Sequence, residues 1–175
     1  MRIIGLAVLG LALASGARAA VVDAGPSGFQ VEETVQIAVP AAKVWTALGE
    51  IGGWWNGKHS WSQDASNLHL ALTPGGCLCE TLPNGGFARH MSVIMLVPGK
   101  RVVLDGTLGP LMFSGAAGHL VWTLAEKDGV TTLTQDYYVG GYFPGGLADL
   151  APAVDGVLTE QATRLKRYVE TGKPG

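Results

Sequence analysis

The stretch that decides the fold is DLAPAVDGVLTEQATRLKRYVET, residues 149–171, close to the C-terminus. Its apolar residues recur every three or four positions and therefore form one stripe along a helix. The stripe consists of Leu147, Leu150, Ala151, Val154, Leu158, Ala162, Leu165 and Val169. Asp149 can cap this helix, Pro152 is tolerated in its first turn, and Gly172 can end it. At about 1.5 Å per residue the helix measures about 34 Å, enough to cross a whole sheet.

The chain before this helix consists mainly of strand-like segments. Residues 29–39 alternate apolar and polar side chains up to Pro40, residues 41–48 change to helical spacing, and residues 49–56 form a second helical turn or a loop. Further strands are predicted at residues 68–72, 77–82, 87–97, 101–105, 119–126 and 131–139. Short turns join most of them, so consecutive strands are antiparallel neighbours. We therefore predict an α+β fold: a curved antiparallel sheet of about seven strands, two short helices after the first strand, and the long helix on one face.

The N-terminus has the pattern of a secretory signal peptide. Arg2 precedes an apolar run at residues 3–14, and small residues follow up to Ala17-Arg18-Ala19. The apolar run is shorter than the ~20 residues that a membrane-spanning helix needs. We therefore predict a signal peptide at 1–19, a leader at 20–28 and one domain at 29–172. The protein would be periplasmic or secreted, with no stable membrane span after cleavage.

The charge balance of the mature chain argues against one class of partner. Loss of Arg2 and Arg18 with the signal peptide would leave 10 Lys and Arg residues against 14 Asp and Glu, a net charge of −4. An acidic chain of this kind does not attract a phosphate backbone, so we expect no nucleic-acid partner. The sequence contains neither a P-loop nor a dinucleotide-binding glycine motif, and we predict no cofactor. It leaves the oligomeric state open.

Five short stretches resemble the START-like, or SRPBCC, superfamily of polyketide cyclase and AHSA1-type domains, in particular a secreted bacterial branch. They are GWW at 53–55, GGCLCE at 75–80, GKR at 99–101, GPL at 109–111 and GGYFPGG at 140–146. The resemblance covers about residues 29–171. It implies a helix-grip fold, in which a curved sheet grips the C-terminal helix around a cavity. It also implies a small hydrophobic ligand, lipid-like or polyketide-like, and thus a periplasmic binding or carrier protein.

Aromatic residues in those stretches are the first candidates for ligand contact. Trp55, Tyr142 and Phe143 lie in segments that resemble the rim of the family's cavity. Such side chains supply the apolar contact area that a ligand pocket needs.

The turn Asn84-Gly85 predicts how two strands pair. If it is a two-residue turn, the ladder follows from it. The predicted pairs are Cys77 with Ser92, Cys79 with His90, and Glu80 with Arg89. If the face with Glu80 and Arg89 lines the cavity, this ion pair is a polar anchor for the ligand, or Glu80 is a carboxylate whose pKa is tuned for acid–base catalysis. The alternative is an exposed cross-strand pair of little energetic value.

The other face of this hairpin would carry Cys77, Cys79 and His90. Two thiols and an imidazole suit zinc or copper, which makes a metal or redox protein one alternative function. A Cys77–Cys79 disulfide is a second possibility, because cysteines usually pair in an oxidising compartment. Residues two apart on a regular strand lie about 6.4–6.8 Å apart between Cα atoms, at the limit of disulfide geometry.

A cofactor-free enzyme of the cyclase or dehydratase type is the other alternative function. It would use Glu80 or His90 as a base. No catalytic residue is assigned beyond these two candidates, and the sequence leaves open whether the protein is an enzyme.

Overall fold

The computed structural model describes residues 18–175. The strands are β1 Arg18–Gly25, β2 Gly28–Ile37, β3 Leu68–Leu70, β4 Cys77–Leu82, β5 Gly86–Val97, β6 Arg101–Gly106, β7 Gly115–Lys127 and β8 Val130–Tyr142. The helices are α1 Ala41–Gly49, α2 Ile51–Trp54 and α3 Ala151–Thr171, and short 3₁₀ turns occupy Gly57–His59, Ala65–Asn67, Pro83–Gly85, Gly109–Phe113 and Ala148–Leu150. The predicted signal peptide lies almost entirely outside the described residues.

The eight strands form one antiparallel sheet in the order β1-β2-β8-β7-β6-β5-β4-β3. The helix α3 lies against the sheet and contacts β1 and β2, while α1 and α2 pack beside it. This arrangement confirms the predicted α+β class and the helix-grip fold. No helix within residues 18–175 combines the length and the apolar character of a transmembrane span.

The edge strand β1 was not predicted. It pairs with β2 from Arg18 opposite Thr34 to Gly25 opposite Gly28, with an irregularity between Val21 and Asp23. The segment is rich in alanine and shows no clear alternation, so its own β-propensity is weak. Its place in the sheet comes from backbone pairing with β2 and from contact with α3.

The long helix α3 packs its predicted stripe on the sheet. Its fully buried residues are Ala151, Leu158, Gln161, Ala162 and Leu165. Gly172 ends the helix in the left-handed conformation, with φ of 79°, as predicted. The prediction that Asp149 caps the start was wrong, because the chain enters α3 directly from the 3₁₀ turn Ala148–Leu150 and no side chain caps it.

The turn between β4 and β5 differs from the predicted one. Leu82 pairs with Gly86, so three residues, Pro83–Gly85, form the connection. A two-residue turn would have made Pro83 and Gly86 a hydrogen-bonded pair, and proline has no N–H to donate to it. The ladder next to the turn is therefore shifted by one residue.

A β-bulge then returns the ladder to the predicted register. Leu78 lies opposite Met91, but Cys79 lies opposite Arg89, so His90 is the extra residue on β5. The observed pairs are Cys77 with Ser92, as predicted, and Cys79 with Arg89 and Glu80 with Ala88, which replace the predicted partners His90 and Arg89. The bulge thus turns the His90 side chain to the same side of the sheet as Glu80.

Candidate functional site

A cavity of about 340 Å³ lies between the sheet and the N-terminal half of α3. Its walls come from the α2 segment and the turn after it, from β3, β4 and β5, from the turn before β7, and from α3. Most of its lining residues are apolar, including Ile51, Trp55, Leu78, Leu111, Val157 and Leu158. The polar ones are Lys58, His59, Ser60 and His90. The fold therefore places one mostly apolar chamber where sheet and helix meet.

The wall of this cavity holds a buried imidazole paired with a carboxylate. His90 is 7% exposed and Glu80 is fully buried. His90 Nε2 lies 2.9 Å from Glu80 Oε2. The bulge in β5 creates this pair, because it directs His90 inward beside a residue of the neighbouring strand.

Glu80 is surrounded by hydrogen-bond donors. Its Oε1 accepts from the backbone N–H of Ser62 at 2.6 Å, and its Oε2 accepts from the backbone N–H of Trp61 at 3.1 Å. Burial by itself would raise the pKa of Glu80, but the hydrogen bonds from Ser62, Trp61 and His90 outweigh burial and hold the pKa below its ordinary value of 4.5. Glu80 is therefore an ionised acceptor at neutral pH.

Beside the cavity, side-chain contacts join the turn after α2 to α3, and one of the residues involved, His59, lines the cavity. Oε1 of Glu160 in α3 accepts a hydrogen bond from Asn56 Nδ2. Oε2 of the same residue lies 3.0 Å from His59 Nε2. The indole of Trp55 donates to the carbonyl of His59 at 3.1 Å. We call Asn56, His59 and Glu160 the mouth clasp.

Two aromatic rings pack against each other near the cavity. The rings of Trp61 and Phe113 are 5.2 Å apart between centroids and tilted by 46°. Phe113 is 76% exposed, whereas Trp61 lies at the rim of the cavity.

The predicted ligand-binding residues are distributed unevenly around this site. Trp55 lines the cavity. Glu80 lies behind His90 and makes no ion pair with Arg89, which is exposed. Neither Tyr142 nor Phe143 lines this cavity. Tyr142 is 71% exposed, and Phe143 packs against the hydrophobic core. The predicted Glu80–Arg89 anchor was wrong because the register shift separates the two residues.

The predicted metal ligands are not brought together. Cys77 and Cys79 form a disulfide with a Cα–Cα distance of 5.4 Å, shorter than on a regular strand, so neither offers a thiolate. His90 points to the cavity instead of toward them. Within residues 18–175, no group of three or more His, Cys, Asp or Glu side chains could hold a metal ion.

The sequence analysis missed the Glu80–His90 pair and the wall residues Lys58, His59 and Trp61. One signal for the pair was present, since Pro83 directly before Asn84-Gly85 excludes the two-residue turn. The mouth clasp had no such signal, because Glu160 is more than a hundred residues from Asn56 and His59 along the chain.

Residues 28–170 match the family described as polyketide cyclase / dehydrase and lipid transport. No protein of curated function matches the chain.

Several solved structures share the fold. A conserved protein of unknown function, EF2215 from Enterococcus faecalis, is 15% identical with a TM-score of 0.62, over 85% of this chain and 75% of that one. DynU16, from the dynemicin biosynthetic locus, is 25% identical with a TM-score of 0.57, over 83% and 48%. StfQ, a di-domain ARO/CYC protein from the steffimycin biosynthetic pathway, is 14% identical with a TM-score of 0.54, over 83% and 50%. The chain thus matches about half the length of the last two proteins.

Proposed function

Because the chain belongs to the polyketide cyclase / dehydrase and lipid transport family, we propose that it is a periplasmic or secreted binding protein. It holds one small, mostly hydrophobic molecule, lipid-like or polyketide-like, between the sheet and α3.

The cavity is the observation that carries this proposal. Its volume of about 340 Å³ lies within the range of small-molecule sites, and apolar walls with a few polar groups are the usual composition of such sites. Burial of an apolar ligand in this space would supply most of the binding free energy. The polar groups would then select the ligand's orientation.

A fluorescent probe tests the proposal directly. N-phenylnaphthylamine should bind with one-to-one stoichiometry and quench tryptophan emission, because Trp55 lies in the cavity wall. Val157→Trp fills the space from α3 and should weaken binding by about tenfold or more, which corresponds to about 1.4 kcal/mol. Arg167→Trp is the matched control, since Arg167 is exposed on the same helix. Equal binding by both variants would place the probe elsewhere and contradict the proposal.

The periplasmic or secreted location rests on the N-terminal sequence pattern and on cysteine chemistry. Residues 1–19 have the pattern of a cleaved signal peptide, and a disulfide such as Cys77–Cys79 persists in oxidising compartments. Intact mass and N-terminal sequencing of the protein from its own cell should give a chain that starts at Ala20. A chain recovered only from the cytoplasm with residues 1–19 present would contradict this location.

A cofactor-free enzyme is the second candidate, favoured by the buried Glu80–His90 pair. In this scheme His90 is the base and Glu80 orients it, because Glu80 is already engaged by the backbone N–H groups of Trp61 and Ser62 and by His90. Nitrobenzisoxazole tests this role, since a base that removes its C–H proton breaks the N–O bond and releases a coloured phenoxide. We expect accelerated ring opening that His90→Leu abolishes. An equal rate with His90→Leu would remove His90 from the role.

A further inference from the structure

The polar side chains of the cavity differ in their exposure to solvent. Lys58, His59 and Ser60 belong to the turn after α2, and Lys58 and His59 are exposed. His90 is buried in the wall, which also contains Leu68 and Leu78. A ligand that fills the chamber therefore meets one buried polar side chain.

The hydrogen bond to Glu80 decides which nitrogen of His90 carries the proton. An ionised carboxylate can only accept a hydrogen bond, so Nε2 must be the donor in the 2.9 Å contact with Oε2. In the neutral imidazole, the other nitrogen, Nδ1, is then an acceptor with a free lone pair.

This acceptor is open to the cavity. Within the described part of the chain, residues 18–175, the buried polar side-chain atoms without a partner are Glu33 Oε1 and Gln161 Nε2. His90 Nδ1 is not among these sealed atoms, and no residue in that range hydrogen-bonds to it. Because His90 lines the cavity and this nitrogen is not sealed, we assign its Nδ1 to the space that a ligand would occupy.

We infer that the ligand is an apolar molecule carrying one hydroxyl group, which donates its hydrogen bond to His90 Nδ1. This inference rests on the proposed binding function and names the ligand class for that same site. The hydroxyl lies at His90, and the apolar body of the ligand packs against the apolar wall, which includes Trp55.

Other ligand chemistries fit this part of the cavity less well. A carboxylate ligand has only acceptors, so it cannot donate to Nδ1, and it brings a second negative charge near Glu80. A hydrocarbon or an ether also leaves Nδ1 without a donor. An unsatisfied buried acceptor weakens binding by about tenfold to one-hundredfold relative to a ligand that satisfies it.

Calorimetric titration with β-naphthol and its methyl ether tests the inference, because the two differ in the hydroxyl hydrogen. We expect β-naphthol to bind about tenfold to one-hundredfold more tightly than the ether. His90→Leu should bring the two affinities together. His69→Leu is the matched control, because His69 is exposed on β3, two strands away from His90, and does not line the cavity, so it should keep the preference.

A second measurement uses the unaltered protein and does not depend on the folding of a variant. Nitrogen NMR of ¹⁵N-histidine-labelled protein should show His90 protonated at Nε2, with a Nδ1 resonance that moves when β-naphthol is added and not when the ether is added. A proton on Nδ1, or a Nδ1 resonance that β-naphthol leaves unchanged, would overturn the inference.

The outcomes separate the inference from the function beneath it. Equal affinities for naphthol and ether, or no binding of either by protein that does bind N-phenylnaphthylamine, would overturn the inference alone. Absence of binding for all three compounds would overturn the proposed function.

Discussion

Glu80 and Glu33 are both buried carboxyl groups on the inner side of the sheet, and their surroundings shift their pKa values in opposite directions. Hydrogen bonds to Glu80 outweigh the effect of burial and lower its pKa from 4.5. At Glu33 burial is the largest cause and raises the pKa, the charge of Asp155 raises it further, and the hydrogen bond from Thr159 opposes both. The two residues should therefore affect stability with opposite signs.

Glu80→Gln is expected to destabilise the protein at neutral pH. A carboxyl group with a lowered pKa in the folded state contributes stability that is fully present above its unfolded pKa and is lost as the pH falls through the folded pKa. The variant should lose about 1–3 kcal/mol of unfolding free energy at neutral pH, because buried donors lose their ionised acceptor. Urea denaturation should show this difference shrinking below pH 4.5. A difference that is constant with pH would contradict the ionised role of Glu80.

Glu33→Gln should behave in the opposite way. Glu33 is 2% exposed, and its Oε1 has no partner within residues 18–175, so the ionised form is unfavourable in the folded state. We expect Gln to raise the unfolding free energy at neutral pH. The gain should disappear as the pH falls through the raised pKa of Glu33, where both side chains are neutral. A loss of stability at neutral pH would show that Glu33 has a compensating partner.

At the scale of single elements, two helical glycines offer a contrast. Gly156 lies exposed in the second turn of α3, and a Cβ added there would meet nothing within 4 Å. Gly156→Ala should therefore stabilise the protein by about 0.5–1 kcal/mol, through the higher helix propensity of alanine. Gly52 of α2 is different, since its Cβ would lie 2.9 Å from the carbonyl oxygen of Ala65. Thermal unfolding should show a higher midpoint than wild type for Gly156→Ala and a lower one for Gly52→Ala. The reverse order would contradict the open space at Gly156 and the close backbone contact at Gly52.

The disulfide belongs to the same scale, because Cys77 and Cys79 lie in β4 beside the bulge that turns His90 inward. It closes a loop of only three residues, so the chain-entropy estimate gives about 1–2 kcal/mol of stability. We expect the double variant Cys77→Ser, Cys79→Ser to fold with a modest loss of stability.

The same double variant should show its main effect locally. Hydrogen exchange should become faster in β4 and β5 around the bulge and stay unchanged in β7 and β8, because the disulfide stiffens only this part of the ladder. Wild-type protein treated with a reducing agent is the matched comparison. A uniform change over the whole sheet would mean that the disulfide acts on global stability instead.

At the scale of the whole molecule, the mouth clasp joins two parts of the chain that both line the cavity. Glu160 of α3 binds Asn56 and His59; desolvation would raise its pKa, but these hydrogen bonds and the charges of His59 and Arg164 lower it. Glu160→Ala should open this connection and speed release of a bound probe, with little loss of stability because the pair is partly exposed.

Stopped-flow release of N-phenylnaphthylamine measures that effect. Glu170→Ala is the matched control, because Glu170 lies in the last turn of α3, away from the cavity, where it accepts hydrogen bonds from Ala38 and Lys166. Faster release in both variants would indicate a general loosening of α3, and equal release in both and in wild type would remove the clasp from ligand retention.

The sequence by itself determined the fold class. Its signals are local: the apolar stripe of α3, the alternation in residues 29–39 and the turn residues between later strands. Each of them can be recognised from the residues of one short segment. Trp55 came instead from the resemblance to the family's cavity rim, and it lines the cavity. Such signals predict which face of an element is buried, but not which side chains from distant elements meet there.

Only the tertiary structure decided the site. The one-residue shift at Pro83 and the bulge at His90 separate Glu80 from Arg89 and bring Glu80 into contact with His90. An alternating strand pattern does not reveal such an offset in register. The disulfide became possible for a related reason, since its Cα atoms lie 5.4 Å apart at the irregular ladder. Side-chain chemistry can be identified in the sequence, whereas the partner of each group depends on register and on long-range packing, which only the folded chain specifies.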